Sequence, residues 1–235
     1  MAFPNAAAAE DALLDTVKQL RGRGATATAE QEAAVAAAVA ALEADGGVPE
    51  PADSPLVEGV WTLLYTSKSN FDIRNPLGAR VDGSAPGLER IFRVLTGTDT
   101  SSAAAAPASS SPIQRTITSN DNFTVLQTVA LRSSPQRVDN TVDFGPSIGT
   151  LLLEAEASVP VSPGKRRIDF RFAGGYFETA ELPFVGRVRI PYPVPFKLLG
   201  DEAKGWLDTV YLSERVRISR GNKGTTFILC KRREQ

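Results

Sequence analysis

The first 48 residues carry their apolar side chains at helical spacing. Each of two runs has one narrow apolar stripe: Leu13, Leu14, Val17 and Leu20 in the first, and Val35, Val39 and Leu42 in the second. Gly22 and Gly24 end the first run, and Thr28 with Gln31 has the spacing of a capping box that opens the second. Because each stripe is modest, the pattern predicts two short antiparallel helices over 1–48 that dock on a larger body.

After a proline-containing linker over 49–55, the apolar pattern changes from helical to alternating. Four segments have the period of a β-strand: 59–66, 137–144, 151–159 and 166–172. Further candidate strands are 90–95, 113–118, 122–131, 208–219 and 225–231. Eight or more strands without long intervening helices predict a mainly β domain over 56–235, folded as an antiparallel barrel or sandwich.

Two segments interrupt the alternation. Residues 96–112 are rich in serine and alanine and lack aromatic and branched aliphatic side chains, which predicts a loop. Residues 182–200 combine four prolines with Phe184, Tyr192 and Phe196. Proline disfavours a central strand, yet the segment is too apolar for an ordinary wet loop. It either packs over the core or an opening, or forms a lip that faces lipid or a partner.

Composition excludes several classes of chemistry. The chain of 235 residues has no histidine, one cysteine and a net charge of −1. Histidine-dependent catalysis, the common zinc sites and an internal disulfide are therefore excluded, and a dedicated nucleic-acid binder is disfavoured. Carboxylates near tyrosines, such as Glu178, Glu181 and Asp208, have no spacing that marks a catalytic pair. We expect no catalytic residue, metal or cofactor.

No apolar run approaches the ~20 residues that span a bilayer. The first residues also lack the features of a secretory signal or a transit peptide. We therefore expect either that the protein acts where it is made or that a targeting segment has been removed. Acidic residues prevail up to residue 60 and basic residues near the C-terminal end, which indicates two solvated faces or an attraction of the basic end to anionic lipid.

The sequence "RISRGNKG" over 217–224 and its neighbours suggest either a phosphate-binding loop or a hairpin tip. The order of glycine and lysine does not match the P-loop rule, and a strand pattern rather than a helix follows. Gly221, Asn222 and Gly224 are residue types that tolerate a tight turn. The segment therefore predicts a β-hairpin, whose basic residues, Lys223 among them, are candidates for contact with lipid headgroups.

Residues 205–229, "GWLDTVYLSERVRISRGNKGTTFIL", closely resemble the C-terminal signature of the plastid-lipid-associated protein family, the PAP/fibrillin domain. The order of "LLDTVKQLRGRGATAT", "ALEADGG", a proline-rich linker, "LVEGVWTLLYTS" and "SPIQRTI" also resembles that family. The resemblance covers about residues 11–231. Val210 and the stretch Ser213–Val216 depart from the family pattern, which leaves the subgroup open.

The resemblance implies a lipocalin-like barrel in a nuclear-encoded protein that enters plastids on a cleaved transit peptide, so this chain would be the trimmed, mature form. It also implies a stroma-facing protein at thylakoids or plastoglobules that supports photosynthetic membranes under light stress. The implied function is binding or carrying a hydrophobic lipid or isoprenoid, such as a prenylquinone. The alternative is a non-enzymatic structural coat or scaffold of plastoglobules or thylakoid membranes. No protein partner is implied.

A barrel of about eight strands can hold one small ligand among inward apolar side chains. The candidate ligand-binding residues are Trp61, Leu63, Tyr65, Phe144, Ile168, Phe170 and Phe172, or alternatively these side chains fill a solid core. Gly59-x-Trp61 is similar to the lipocalin Gly-x-Trp motif, in which a late-strand arginine covers the indole. Arg217 or Arg220 would close the barrel in this way by a cation–π contact. Phe184, Tyr192, Phe196 and Lys223 are the candidates for contact with a lipid surface.

Overall fold

The computed structural model describes residues 6–67, 121–192, 203–222 and 224–232. Several predicted features lie outside these residues: strands 90–95 and 113–118, the loop 96–112, Phe196 and Lys223.

The N-terminal helices follow the predicted pattern. Helix α1 spans Ala6–Lys18 and helix α2 spans Ala29–Asp45. Gln31 N donates to Thr28 Oγ1 at 3.3 Å and Thr28 N donates to Gln31 Oε1 at 2.9 Å, so the predicted capping box is present. Both predicted apolar stripes are buried, which confirms the two helices. No helix in the described part of the chain has the length and apolar content needed to cross a bilayer.

The described residues also form nine β-strands: β1 Gly59–Thr66, β2 Thr124–Ala130, β3 Arg137–Asp143, β4 Gly149–Ser158, β5 Arg167–Thr179, β6 Arg189–Pro191, β7 Lys204–Leu212, β8 Val216–Gly221 and β9 Thr226–Lys231. The four segments with clear alternation all lie in strands, as predicted. The prediction of one strand over 208–219 is wrong. Ser213 Oγ accepts hydrogen bonds from Arg215 N and Val216 N, at 3.1 and 3.0 Å, and this turn separates β7 from β8.

The strands pair antiparallel, and their pairing closes into a ring. The ring runs from β1 through β2, β3, β4, β5, β7, β8 and β9 and returns to β1, while β6 extends the sheet beside β5. At the closure, Trp61 of β1 lies opposite Lys231 of β9, and Leu63 lies opposite Leu229. Alternate side chains therefore point into the ring or away from it. The mainly β, antiparallel architecture with N-terminal helices is as predicted.

The two helices pack on the outer surface of β1, β7, β8 and β9. Their buried residues share one apolar cluster with side chains from those strands: Tyr65, Tyr211, Val216, Ile218 and Ile228. Other side chains of the same strands, such as Trp61 and Leu229, belong to a separate cluster inside the ring. This part of the sheet is covered on both faces, which agrees with the two apolar faces of 59–66.

A β-bulge in β1 turns Tyr65 away from the interior. The register with β9 shifts after Leu63, which lies opposite Leu229, so that Tyr65 lies opposite Ile228 on the helix side. The ring of Tyr65 packs against Gly24, where a Cβ would lie 2.4 Å from Tyr65 Cε2. The prediction that Tyr65 lines the ligand-binding interior is therefore wrong, because the extra residue in the strand reverses the alternation.

Candidate ligand-binding interior

Trp61 lies in the packed interior at one end of the ring, beside Val57, which follows the linker; we call this the closed end. Its side chain is fully buried, and Nε1 donates to Val57 O at 2.8 Å. Arg217 Cζ lies 5.0 Å from the centroid of the indole, and Lys231 Nζ lies 4.4 Å from it. Two cations therefore contact one buried aromatic ring, an arrangement favoured by the ring quadrupole.

Of the two arginines considered from the sequence, Arg217 lies over Trp61 and Arg220 does not. Arg220 is on the opposite face of β8 and forms an ion pair with Glu43 of α2 at 2.6 Å. The alternation of the strand separates the two, because residues three apart point to opposite faces.

Lys231 was not identified from the sequence, although it follows Leu229 at the two-residue spacing of one strand face. Its Nζ donates to Leu56 O at 3.0 Å and also to Glu58 O. Burial, followed by the charge of Arg217, lowers the pKa of Lys231. The lysine thus joins the segment that follows the linker to the closed end of the ring.

Arg217 is a buried cation with an incomplete set of partners. Its side chain is 1% exposed, and burial lowers its pKa to about 9. One nitrogen, Nη2, donates to Gln127 Oε1. Within the described residues, Nε has no hydrogen-bond acceptor, and no carboxylate forms an ion pair with this arginine. Such a buried charge is energetically costly, so its retention needs a physical reason.

Three side chains form a polar row across the interior, which we call the interior polar row: Arg217, Gln127 and Asn140. The first contact joins β8 to β2, which are not neighbours in the sheet, so it crosses the ring. Gln127 Nε2 then donates to Asn140 Oδ1 on β3 at 3.0 Å. Sequence reasoning missed Gln127 as a functional residue because a polar side chain in an alternating strand indicates the wet face.

The inward side chains differ in how much of their surface is accessible, and they form a buried set and a half-buried set. The buried set, with relative exposures of 0 to 9%, is Trp61, Leu63, Val129, Val138, Ile168 and Leu229. The half-buried set is Gln127, Asn140, Leu153, Phe170 and Phe172. The predicted ligand-binding residues are therefore divided: three of them fill a packed core, and two retain accessible surface.

Phe170 and Phe172 form an edge-to-face pair with ring centroids 5.5 Å apart. They lie opposite Ala157 and Ala155 of β4, whose side chains are single methyl groups. Phe170 also covers Gly205, where a Cβ would lie 2.5 Å from Phe170 Cζ. The pair thus forms an aromatic wall with small neighbours on both sides.

Phe144 lies at the other end of the ring, which we call the open end, and not beside Trp61. Its ring is 4.9 Å from that of Phe123 and 6.0 Å from that of Phe177. Tyr192 packs against the same aromatic cluster, and burial raises its pKa to about 12. The structure therefore places Tyr192 with the interior aromatics rather than on an exposed lip.

Phe184 protrudes from the turn over 182–186, which follows β5 at the open end. The turn is held by a bridge between Leu182 and Gly186. The side chain of Phe184 is 108% exposed and that of Val185 is 69% exposed. Arg189 donates to Glu178 at 2.6 Å near the base of the turn. An apolar tip with no covering side chains is a feature of surfaces that contact a membrane or a partner.

The "RISRGNKG" segment is a hairpin tip, as predicted. It joins β8 to β9, which pair directly. Gly221 N donates to Thr225 O at 2.9 Å and Gly224 N donates to Gly221 O at 3.0 Å, so these amides are used within the turn. Gly224 has a φ of +71°, which a glycine adopts without strain.

Two of the three carboxylates considered as catalytic candidates, Asp208 and Glu178, are engaged in ion pairs. Asp208 accepts two hydrogen bonds of 2.8 Å from Arg167. The hydrogen bond from Arg189 lowers the pKa of Glu178. Among the described residues, no group of three metal-ligating side chains comes together.

A surface pocket of about 210 Å³ lies between the linker and β7. Val48, Pro51, Arg166 and Tyr211 contribute to its lining, and none of the predicted ligand-binding residues does.

The PAP_fibrillin family model matches residues 7–89 and 99–230, a span that includes both helices and most of the strands. The chain belongs to the PAP_fibrillin family. The predicted family is therefore confirmed across nearly the whole chain.

Three relatives of this PAP_fibrillin chain are informative. It is 42% identical over 226 residues to "Probable plastid-lipid-associated protein 12, chloroplastic" of Arabidopsis thaliana, covering 95% of this chain and 44% of the relative. It is 30% identical over 231 residues to "Plastid lipid-associated protein 2, chloroplastic" of Brassica campestris, covering 89% and 64%. It is 28% identical over 239 residues to "Chromoplast-specific carotenoid-associated protein C1, chromoplastic" of an Oncidium hybrid cultivar, covering 92% and 67%.

The chain thus spans between 44% and 67% of the length of these relatives. Their names place them in chloroplasts or chromoplasts, which confirms the predicted plastid location at that level. The names describe lipid-associated and carotenoid-associated proteins, and none of the three describes an enzyme. No solved structure matches the PAP_fibrillin chain.

Proposed function

We propose that this PAP_fibrillin chain binds or carries one hydrophobic lipid or isoprenoid, such as a prenylquinone, inside a lipocalin-like barrel made by its ring of strands. The observation that carries this proposal is the uneven burial of the inward side chains. The closed end is a packed core, whereas Leu153, Phe170 and Phe172 keep accessible surface. Two relatives are named as lipid-associated and carotenoid-associated proteins, and these names support a hydrophobic ligand.

In this proposal the predicted residues have two kinds of role. Trp61, Leu63 and Ile168 hold the closed end together, and the contact of Arg217 with Trp61 closes the barrel. Phe170 and Phe172 contact the ligand directly, because apolar ligands are held by aromatic walls with few polar anchors. The protein acts at the stromal side of thylakoids or at plastoglobules and performs no chemical step.

A fluorescence titration tests the carrier. A short-chain plastoquinone analogue added to the pure protein is expected to quench tryptophan emission and to saturate near one equivalent. Ala157→Phe places a bulky side chain opposite Phe170 and is expected to abolish this saturable quenching. Ser158→Phe, whose side chain is exposed on the outer face of the same strand, is the matched control and is expected to bind normally. A titration without saturation in the unmodified protein would rule out the carrier.

A second candidate is a structural coat that adsorbs to plastoglobule or thylakoid surfaces. The full exposure of Phe184 favours this function, because an aromatic ring held in open solvent gains from insertion into lipid. The neighbouring Val185 and Leu182 extend the apolar tip, with exposures of 69% and 43%. Lys223 and Phe196 remain predicted contacts that the described residues do not include.

Sedimentation with liposomes tests the coat. Phe184→Ser is expected to reduce the bound fraction, since burial of one phenylalanine side chain contributes about 2 kcal/mol. Val161→Ser is the matched control: Val161 is 107% exposed but lies in the turn between β4 and β5, at the closed end. Equal losses in the two variants would indicate non-specific adsorption. An unchanged bound fraction for Phe184→Ser would exclude this tip from the contact.

A further inference from the structure

The hydrogen bonds of the interior polar row all run in one direction. Arg217 Nη2 donates to Gln127 Oε1, and Gln127 Nε2 donates to Asn140 Oδ1. Arg217 Nε, at the buried end of the row, has no acceptor within the described residues. At the accessible end, the Asn140 side-chain nitrogen, Nδ2, is also available as a donor, because an amide group has two donor hydrogens and one acceptor oxygen. Within the described residues, no acceptor is found for Nδ2.

The row carries positive charge that no carboxylate of the described residues neutralises. Arg217 starts it, is buried, and forms no ion pair with a carboxylate of the described residues. A chain of hydrogen bonds that begins at a cation polarises each successive donor, and the effect is stronger in a buried environment. The Asn140 amide is therefore a stronger donor than an isolated amide would be.

The row ends at the accessible part of the interior. Arg217 at its start is sealed in, whereas Gln127 and Asn140 are half-buried. Asn140 lies opposite Leu153 of β4, which belongs to the same half-buried face as Phe170 and Phe172. A donor group and an apolar wall thus border the same accessible space.

We propose that Asn140 Nδ2 binds a hydrogen-bond-accepting oxygen of the ligand's head group, which assigns the ligand to the lipids with a carbonyl or carboxylate head and an apolar tail. The tail lies along Leu153, Phe170 and Phe172. This inference rests on the proposed carrier function and adds a head-group preference to it. It also gives a reason for keeping in the interior an arginine that no described carboxylate neutralises: the ligand's oxygen accepts a hydrogen bond at the other end of the row.

Displacement of the neutral dye Nile red by three probes with similar chains tests the assignment. The probes are oleate, methyl oleate and 1-octadecene, which carry a carboxylate, an ester carbonyl and no polar group. The unmodified protein is expected to bind oleate and methyl oleate at least about tenfold more tightly than 1-octadecene, because the head group gains a hydrogen bond, which for the oleate carboxylate is charge-assisted. A larger gain for oleate alone would identify a carboxylate head, and equal gains would identify a carbonyl.

Asn140→Asp is the sharpest variant, since a carboxylate still accepts from Gln127 but no longer donates to a ligand. It is expected to lose at least about tenfold in affinity for oleate while its affinity for 1-octadecene stays within about twofold. Thr141→Asp, one residue along and on the opposite face of β3, controls for the added charge and is expected to leave both affinities unchanged. Circular dichroism confirms that each variant is folded.

Three outcomes would overturn the assignment. Retention of the full oleate preference by folded Asn140→Asp would exclude Asn140. If that variant does not fold, the affinities of the unmodified protein for the three probes decide the question. Binding of 1-octadecene as tightly as the other two probes would exclude a head-group site, but it would leave the carrier function standing. Failure of all three probes to displace the dye would overturn the carrier function together with the assignment.

Discussion

The hydroxyl of Tyr211 on β7 donates a hydrogen bond of 2.8 Å to Glu10 Oε1 on α1. Glu10 is 4% exposed, and its other carboxylate oxygen lies 3.8 Å from Arg215 Nε. Burial, followed by the hydrogen bond to Glu10, raises the pKa of Tyr211. This polar contact lies within the apolar cluster that docks the helices on the ring, and it fixes the position of α1 along β7.

Removal of this hydrogen bond should destabilise the protein. Tyr211→Phe leaves the Glu10 carboxylate buried with one weak partner, so we expect the free energy of unfolding to fall by about 2 kcal/mol. Urea unfolding followed by circular dichroism measures the change. Tyr65→Phe is the matched control: its ring packs in the same cluster, but its hydroxyl has no hydrogen bond within the described residues. Equal losses in both variants would show that the hydrogen bond contributes nothing.

Gly24 is required for the contact between the helical segment and β1. Gly24→Ala combines a φ of +91° with a Cβ placed 2.4 Å from Tyr65 Cε2, and we expect a loss of about 3 kcal/mol in the free energy of unfolding. Gly46 has nearly the same φ, +94°, and no atom within 4 Å of the added Cβ. Gly46→Ala should therefore cost about 1 kcal/mol, from backbone strain alone. Indistinguishable losses in urea unfolding would refute the steric part of this prediction.

The capping box at the start of α2 should contribute measurably to stability. Thr28→Ala removes the acceptor for Gln31 N, and we expect a loss of about 1 kcal/mol in the free energy of unfolding. Thr28→Ser keeps the hydroxyl and should retain most of the stability. Thermal unfolding of the three proteins checks the order, and a serine variant as unstable as the alanine variant would argue against the cap.

Tyr192 should make stability depend on alkaline pH. Its pKa is raised to about 12 in the folded state, whereas an unfolded tyrosine releases its proton near pH 10. The folded state therefore holds more protons in this window, so the stabilisation is complete below about pH 10 and is lost as the pH rises toward about 12. The free energy of unfolding should fall less between about pH 9 and about pH 11 in Tyr192→Phe than in the unmodified protein. Parallel falls in the two proteins would exclude Tyr192 as a source of the pH dependence.

The sequence predicted the elements well because alternation and helical stripes reflect local burial. The capping box at Thr28 and the strand at 59–66 both follow from such local patterns. The orientation of Tyr65 did not follow, since the bulge after Leu63 depends on how β1 pairs with β9, about 165 residues away in sequence. A comparable register shift before Tyr211 turns that side chain toward the helices.

Among the polar residues of the candidate site, Arg217 was found only through the similarity to the lipocalin motif, and Gln127 was missed, for a related reason. Alternation assigns a polar residue to the wet face, yet Arg217 and Gln127 meet inside the ring. That contact joins strands that are not neighbours, so it exists only after the ring has closed. Phe184 is exposed and Tyr192 packs against the interior aromatics, although both lie in one irregular segment. Both are aromatic residues beside prolines, so the sequence alone could not tell which of them would be buried.

The pairing of β1 with β9 has a consequence for biogenesis. Strand β1 is translated well before its partner along one edge, Thr226–Lys231, because about 160 residues separate the two strands in sequence. Until then β1 presents an open edge, and the indole of Trp61 lacks both of its cations. The open edge of β1 is therefore exposed to aggregation until the segment between the two strands has been made and the ring can close.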